Sequence, residues 1–120
     1  MAEIRFPVDR LQNFVQAAFA AQGVPEAHAR TAALRMIESD LRGMGAHGIL
    51  RLPPYSRRIR EGGYNLNPKI KVTRETPVSA LVDGDNGLGQ VVMTFVADLA
   101  IKKAKESGMG AWPDFVMQST

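Results

Sequence analysis

A chain of 120 residues, 45% of them hydrophobic, can bury one modest core, and its net charge is +3 at pH 7. The absence of cysteine excludes disulfides, a thiol nucleophile and thiolate metal sites, and no metal is expected; it also fits a cytoplasmic setting. Met-Ala-Glu-Ile-Arg-Phe-Pro is not a secretory signal, and the most apolar stretch, residues 14–24, is too short to span a bilayer, so no membrane role is expected.

In chain order, Asp9 to Gln22 reads as a helix. Asp9 is the candidate N-cap, Gly23 the stop, and Leu11, Phe14, Val15, Ala18 and Phe19 form the apolar stripe. Pro25 opens a second helix that frays near Asp40 to Gly43, with Ala27, Thr31, Leu34, Met36, Ile37 and Leu41 as its buried side and His28 on its surface. A third helix starts at Leu52 or Pro53 and runs to Glu61, because proline needs no hydrogen-bond partner in a first turn; Gly62-Gly63 ends it. Ile70–Glu75 and Val78–Val82 alternate as two short strands broken at Thr76-Pro77. A glycine-rich loop, Asp83–Gly89, leads into a long helix from Gln90 to Ser107, with Val92, Phe95, Val96, Leu99 and Lys103 on one side and Lys102, Lys103 and Lys105 suiting its negative end. The turn at Tyr64–Pro68 is the one seam in this order. The predicted class is α/β (α+β as a fragment), a three-helix segment followed by a β-β-α unit.

The charge is unevenly spread. Residues 51–74 hold seven basic groups against one acidic group, Glu61. Such a stripe can track phosphates, but it lacks interleaved aromatics beyond Tyr55 and Tyr64 and no nucleic-acid motif accompanies it. Nucleic acid is therefore not the expected partner; attraction of small anionic acids and dinucleotides explains the charge equally well.

The run Asp40-Leu-Arg-Gly-Met-Gly-Ala-His-Gly-Ile-Leu-Arg-Leu-Pro-Pro-Tyr55 carries the chemistry. If the segment after Gly48 is helical, Arg51 and Tyr55 share a face and His47 sits in the turn just ahead of it. Imidazole is the usual proton carrier near neutrality and guanidinium the usual clamp for a carboxylate, as a 2-oxo or 2-hydroxy acid would require. A cap or packing role for the histidine is the alternative. Gly43, Gly45 and Gly48 call for unusual backbone angles or close approach by a ligand. The loop Asp83-Gly-Asp-Asn-Gly-Leu-Gly-Gln90 has glycines before a helix, as a phosphate cradle has, but it lacks the spacing of a Rossmann or P-loop motif and carries two acids that repel phosphate. A strand-to-helix turn needing positive φ is the simpler reading.

The Asp40–Tyr55 run resembles the malate/L-lactate dehydrogenase family, whose pattern reads Asp-Leu-Arg-Gly-x-Asp-Ser-His-Gly-x-x-Arg-Leu-Pro-x-Tyr and whose cofactor domain is not a Rossmann fold. The family's second pattern, Asp-Gly-x-Asn-Gly-Leu-Gly-Gln, appears at Asp83–Gln90, in the right order and extending the resemblance over residues 8–110. The resemblance implies a homodimeric oxidoreductase using NAD or NADP on a small 2-oxo or 2-hydroxy acid. His47 is then the catalytic residue and Arg51 and Tyr55 bind substrate; cofactor-binding residues are not identified. It also implies a substrate and dimer region over 1–67, the start of the cofactor domain over 68–110 and a divergent tail over 111–120. Gly45-Ala46 replaces the family's Asp-Ser. A lost hydrogen bond costs about 0.5–1.5 kcal/mol, enough to alter substrate choice without abolishing binding. Family members are longer and carry a further histidine in Asn-Ser-x-His-Phe-Gly, where this chain reads Ala111-Trp-Pro-Asp-Phe-Val-Met and has no histidine after His47. A truncated dehydrogenase is the expectation, with Phe115–Met117 as an exposed apolar tail unless it finds a partner. The alternative is a catalytically inactive fragment acting as a helical interaction module.

Overall fold

Three helices of the N-terminal half stop in the same way. Gly23, Gly43 and Gly62 each take a left-handed φ, between 74° and 95°. At Gly43 the two closing bonds are Gly43 N–H to the Asp40 carbonyl (3.0 Å) and Met44 N–H to the Ser39 carbonyl (2.8 Å). Together they satisfy carbonyls that the helix end leaves open, in a geometry a side chain at that glycine would resist. The computed structural model describes residues 4–108 and the pair Phe115–Val116. It divides into two compact units, Met1–Gly63 and Tyr64–Thr120.

The first unit holds α1 (Val8–Ala21), α2 (Glu26–Leu41), two 3₁₀ turns (Gly45–His47 and Ile49–Arg51) and α3 (Leu52–Arg60). Its core is Val15 and Phe19 of α1 against Ala29, Ala32, Ala33, Met36 and Ile37 of α2. The α2 residues follow the i, i+3, i+4, i+7, i+8 pattern of one helix face, and the three alanines let α1 approach closely. This stripe differs from the one read from sequence. Phe14 is 60% exposed and Leu41 64% exposed, and Ala27 is exposed as well. In a helix this rich in alanine the apolar pattern has two nearly equivalent phases, and packing on α1 decides between them. Asp9 is not the cap: α1 begins one residue earlier, after Pro7, and Asp9 lies in its first turn, complementing the dipole. Gln22 ties α1 to α3, its Nε2 donating to the Ala18 carbonyl and to Ser56 Oγ, both at 3.0 Å.

The second unit holds β1 (Lys71–Glu75), β2 (Ala80–Asp83), α4 (Gly89–Ser107) and β3 (Phe115–Val116). The sheet order is β1-β2-β3, with β2 antiparallel to β1 and parallel to β3. Val78 and Ser79, read from sequence as strand, belong instead to the turn: the Thr76 hydroxyl accepts from both of their amides, at 3.3 and 3.0 Å. β1 is exposed throughout and charged at Lys71, Arg74 and Glu75, which protects an edge from pairing with another chain. Part of the expected apolar tail finds a partner, since Phe115–Val116 pairs with Val82–Asp83. The rest of that tail lies outside the described residues.

Lys103 lies on the side of α4 that carries Val92 and Val96, as its spacing suggests, but its charge serves a specific pairing. Only 7% exposed, it donates to Glu75 Oε1 at 2.6 Å and to the Thr76 carbonyl at 2.7 Å, joining the helix to the end of β1. The same ammonium, through its hydrogen bond and then its charge, holds the Glu75 carboxyl below the ordinary carboxylate range. Among the described residues, no helix is long and apolar enough to cross a membrane.

Candidate active site

The segment from Asp40 to Tyr55 is a continuous series of short helical pieces. α2 ends at Leu41, a 3₁₀ turn carries His47, a second ends at Arg51, and α3 follows directly, with Arg51 already at right-handed helical angles (φ −82°, ψ −11°). Helical spacing therefore places Tyr55 one turn beyond Arg51 on the same side. His47 and Arg51 are exposed, and Tyr55 is half-buried on the first turn of α3.

Arg51 turns back on its own loop. Its Nε donates to the Ala46 carbonyl at 3.0 Å, so the guanidinium lies beside the peptide that leads into His47. One of its N–H groups is thereby fixed, and the remaining donors are those at the far end of the fork, with a geometry suited to a planar carboxylate. The structure thus ties Arg51 to the peptide that precedes His47, and helical spacing sets Tyr55 one turn beyond Arg51. His28, the other histidine, is half-buried on the first turn of α2.

Asp40 is the residue that sequence reasoning passed over. Its Oδ2 accepts from the Ile49 amide at 2.8 Å, across nine residues. A Cβ on Gly48 would lie 1.9 Å from Asp40 Oδ1, whereas one on Gly45 would make only ordinary contact at 3.9 Å. Gly48 is therefore small because a carboxylate of the protein itself occupies its side-chain space; close approach by a ligand is not the reason. A signal was present: an acid in the last turn of α2 opposes the helix dipole, so its placement needs another cause.

The second glycine-rich loop has a different construction. Positive φ falls on Asp85 (51°) and Asn86 (54°), not on its glycines. Asp85 Oδ2 accepts from Asn65 Nδ2 at 2.8 Å and from the Lys69 amide at 2.9 Å, and Asp83 Oδ1 accepts from the Asp85 amide at 2.9 Å. A Cβ on Gly84 would meet Val92 at 2.9 Å, and one on Gly87 would meet Pro68 at 2.8 Å. The side-chain space at Gly84 and Gly87 is filled by protein, and the loop carries two carboxylates that repel phosphate. This loop does not fit a dinucleotide pyrophosphate.

The described fold is thus three α-helices and a β-β-α unit, with an exposed histidine and a tethered arginine on successive 3₁₀ turns. Residues 6–113 match the family described as malate/L-lactate dehydrogenase, and the chain belongs to it. It is 50% identical over 107 residues to a malate dehydrogenase of Pyrococcus horikoshii, covering 89% of this chain and 30% of that protein. The solved structure of malate dehydrogenase from that organism superposes with a TM-score of 0.85 over 89% of this chain and 31% of the other. An L-sulfolactate dehydrogenase of Methanocaldococcus jannaschii is 47% identical over 88 residues, 73% of this chain and 26% of that protein. The chain thus spans about 30% of the length of the curated relatives it matches.

Proposed function

We propose that this chain supplies the substrate-side elements of an NAD- or NADP-dependent 2-hydroxy acid dehydrogenase. The observation that carries the reading is the Arg51 guanidinium, tethered by its Nε to the Ala46 carbonyl beside His47. Arg51 holds the substrate carboxylate through the open end of its fork. His47 stands at the C2 oxygen and carries the proton that leaves the hydroxyl on oxidation and returns on reduction. Tyr55 lines the same pocket one helical turn further on. A nicotinamide dinucleotide is the hydride carrier that the family's malate dehydrogenases imply, and the loop before α4 is not assigned to holding it. Residues 1–67 serve as the substrate and dimer region and 68–110 as the start of the cofactor domain.

Two similar relatives are named for malate and for L-sulfolactate. Both compounds are 2-hydroxy acids with a second anionic group, so we take that class as the substrate. The basic residues Arg57, Arg58 and Arg60 of α3 favour such dianions over a monoanion like lactate. A homodimer is the assembly proposed, supported by the exposure of Ile4, Leu41 and Leu50 on the helical unit.

The test is a chimera in which this chain replaces the matching segment of the Pyrococcus malate dehydrogenase. It should oxidise L-malate faster than L-lactate, and Arg51→Ala should raise KM for malate about 10- to 100-fold, the loss of a charge-assisted contact. An active chimera indifferent to Arg51→Ala would remove the role given to that residue. A folded chimera with no activity towards any 2-hydroxy acid would leave the chain as an interaction module.

A further inference from the structure

We propose that Asp40 is a positioning residue that sets the spacing between His47 and Arg51. Gly48 is the N-terminal boundary residue of the second 3₁₀ turn, where a side-chain oxygen would ordinarily accept from an early amide of the turn, and it has no side chain to do so. Asp40 takes that place from nine residues away. Its Oδ1 occupies the volume in which a Gly48 Cβ would stand, and its Oδ2 accepts from the Ile49 amide at 2.8 Å. No side chain of the local sequence caps α3 either, so this carboxylate is the polar anchor for the combined run from Ile49 to Arg60.

The placement helps one helix end at the expense of another. In the last turn of α2 a carboxylate faces the negative end of the dipole, and at Ile49 the same carboxylate meets the positive end of the following helical run. Its position is explained by the second contact alone. The functional consequence lies in what it pins. Ile49 sits between Ala46, whose carbonyl holds Arg51 Nε, and Arg51 itself. Holding the Ile49 amide fixes the length of the loop that this bond closes, and so fixes the atom that grips a carboxylate relative to the residue that carries the proton. Reach between such groups is the part of a site most sensitive to small displacements. The inference rests on the dehydrogenase reading for its purpose but not for its geometry.

The experiment uses NMR on the 120-residue chain, following the Ile49 amide, the Arg51 Nε–H and the His47 imidazole signals, with L-malate as the probe. Asp40→Ala should accelerate Ile49 amide exchange and broaden the Arg51 Nε–H while core methyl signals of Val15 and Ile37 stay in place. Malate affinity should fall about tenfold, the loss expected from one hydrogen bond to a charged acceptor. Asp40→Asn keeps an acceptor oxygen and should restore the Arg51 signal. Gly48→Ala, which displaces the carboxylate without touching it, should reproduce the Asp40→Ala spectrum and serves if that variant does not fold. An unchanged Arg51 Nε–H in both Asp40→Ala and Gly48→Ala overturns the proposal, as does an Asp40→Asn variant indistinguishable from Asp40→Ala. If the wild-type chain ignores malate while the Arg51 signal still depends on Asp40, the positioning stands and the substrate reading fails.

Discussion

Two glycine-rich segments, residues 40–48 and 83–89, look alike on paper: each has several glycines, at least one aspartate and a helix to follow. They use the same parts to opposite ends. In both, an aspartate accepts from backbone amides and a glycine makes room for the protein's own atoms, the Asp40 carboxylate at Gly48 and the Pro68 ring at Gly87. The second turn consumes its acids internally, on Asn65 and the amides of Lys69 and Asp85. The first uses one anchored acid to hold up two exposed ionisable side chains, His47 and Arg51. Glycine content reports close packing in each case. Where chemistry can occur is reported by which polar groups are left facing solvent after the backbone has been satisfied.

Substitution should separate the two turns cleanly. In the chimera with the Pyrococcus enzyme, His47→Ala should lower kcat for malate by about 10²- to 10⁴-fold, the usual worth of a positioned acid-base group. Its melting temperature should not move, since the side chain is exposed. Asp85→Ala should do the reverse. Removing an acceptor that serves two donors should cost about 1.5–3 kcal/mol in urea unfolding, with kcat for malate retained. A His47 variant that unfolds, or an Asp85 variant that is stable but inactive, would erase the distinction between the turns. Smaller in effect, Gly87→Ala places a methyl 2.8 Å from the Pro68 ring. It should destabilise by about 1–3 kcal/mol, the usual cost of overpacking, and leave the Arg51 signals of the first turn untouched.

How much of this was legible in the sequence follows from the range of the interaction involved. Helix ends were legible because Gly23, Gly43 and Gly62 act locally through their own φ. The order from α1 to α4 was legible from local pattern, as were the candidates His47, Arg51 and Tyr55, whose spacing is a local matter, whereas β3 pairs with a strand more than thirty residues back and was not. The buried face of α2 was not, because its alanines make two phases nearly equal and only α1 distinguishes them. The role of Asp40 and the pairing of Lys103 were missed because the partners lie nine residues or more away, at Ile49 and Glu75. An acid at a helix C-terminus and a lysine on an otherwise apolar face are each anomalous locally. Such anomalies can be noticed in a sequence, but the partner that resolves them cannot be read from it.

The Lys103–Glu75 pair offers the smallest test, and it extends the comparison of the turns from hydrogen bonds to charge. Lys103 is buried while Glu75 remains more than half exposed at 54%, so the pair is screened on one side and its strength is modest. Because Lys103 holds the Glu75 carboxyl below its ordinary value of 4.5, the unfolded chain binds more protons than the folded one between those two values. Stability from this source is therefore complete above about pH 4.5 and is lost as pH falls through the folded value. Urea midpoints at about pH 6 and about pH 3 should differ less in Glu75→Gln than in the wild-type chain. Lys103→Met should shrink the same difference, since an apolar side chain of similar length fills the buried space and removes the two largest causes that lower the Glu75 carboxyl. Equal acid sensitivity in all three would mean that solvent screens the pair completely. The hydrogen bond from Lys103 to the Thr76 carbonyl would then be what fixes α4 to the end of β1, just as a backbone hydrogen bond to Asp40 fixes the start of the Ile49–Arg51 turn.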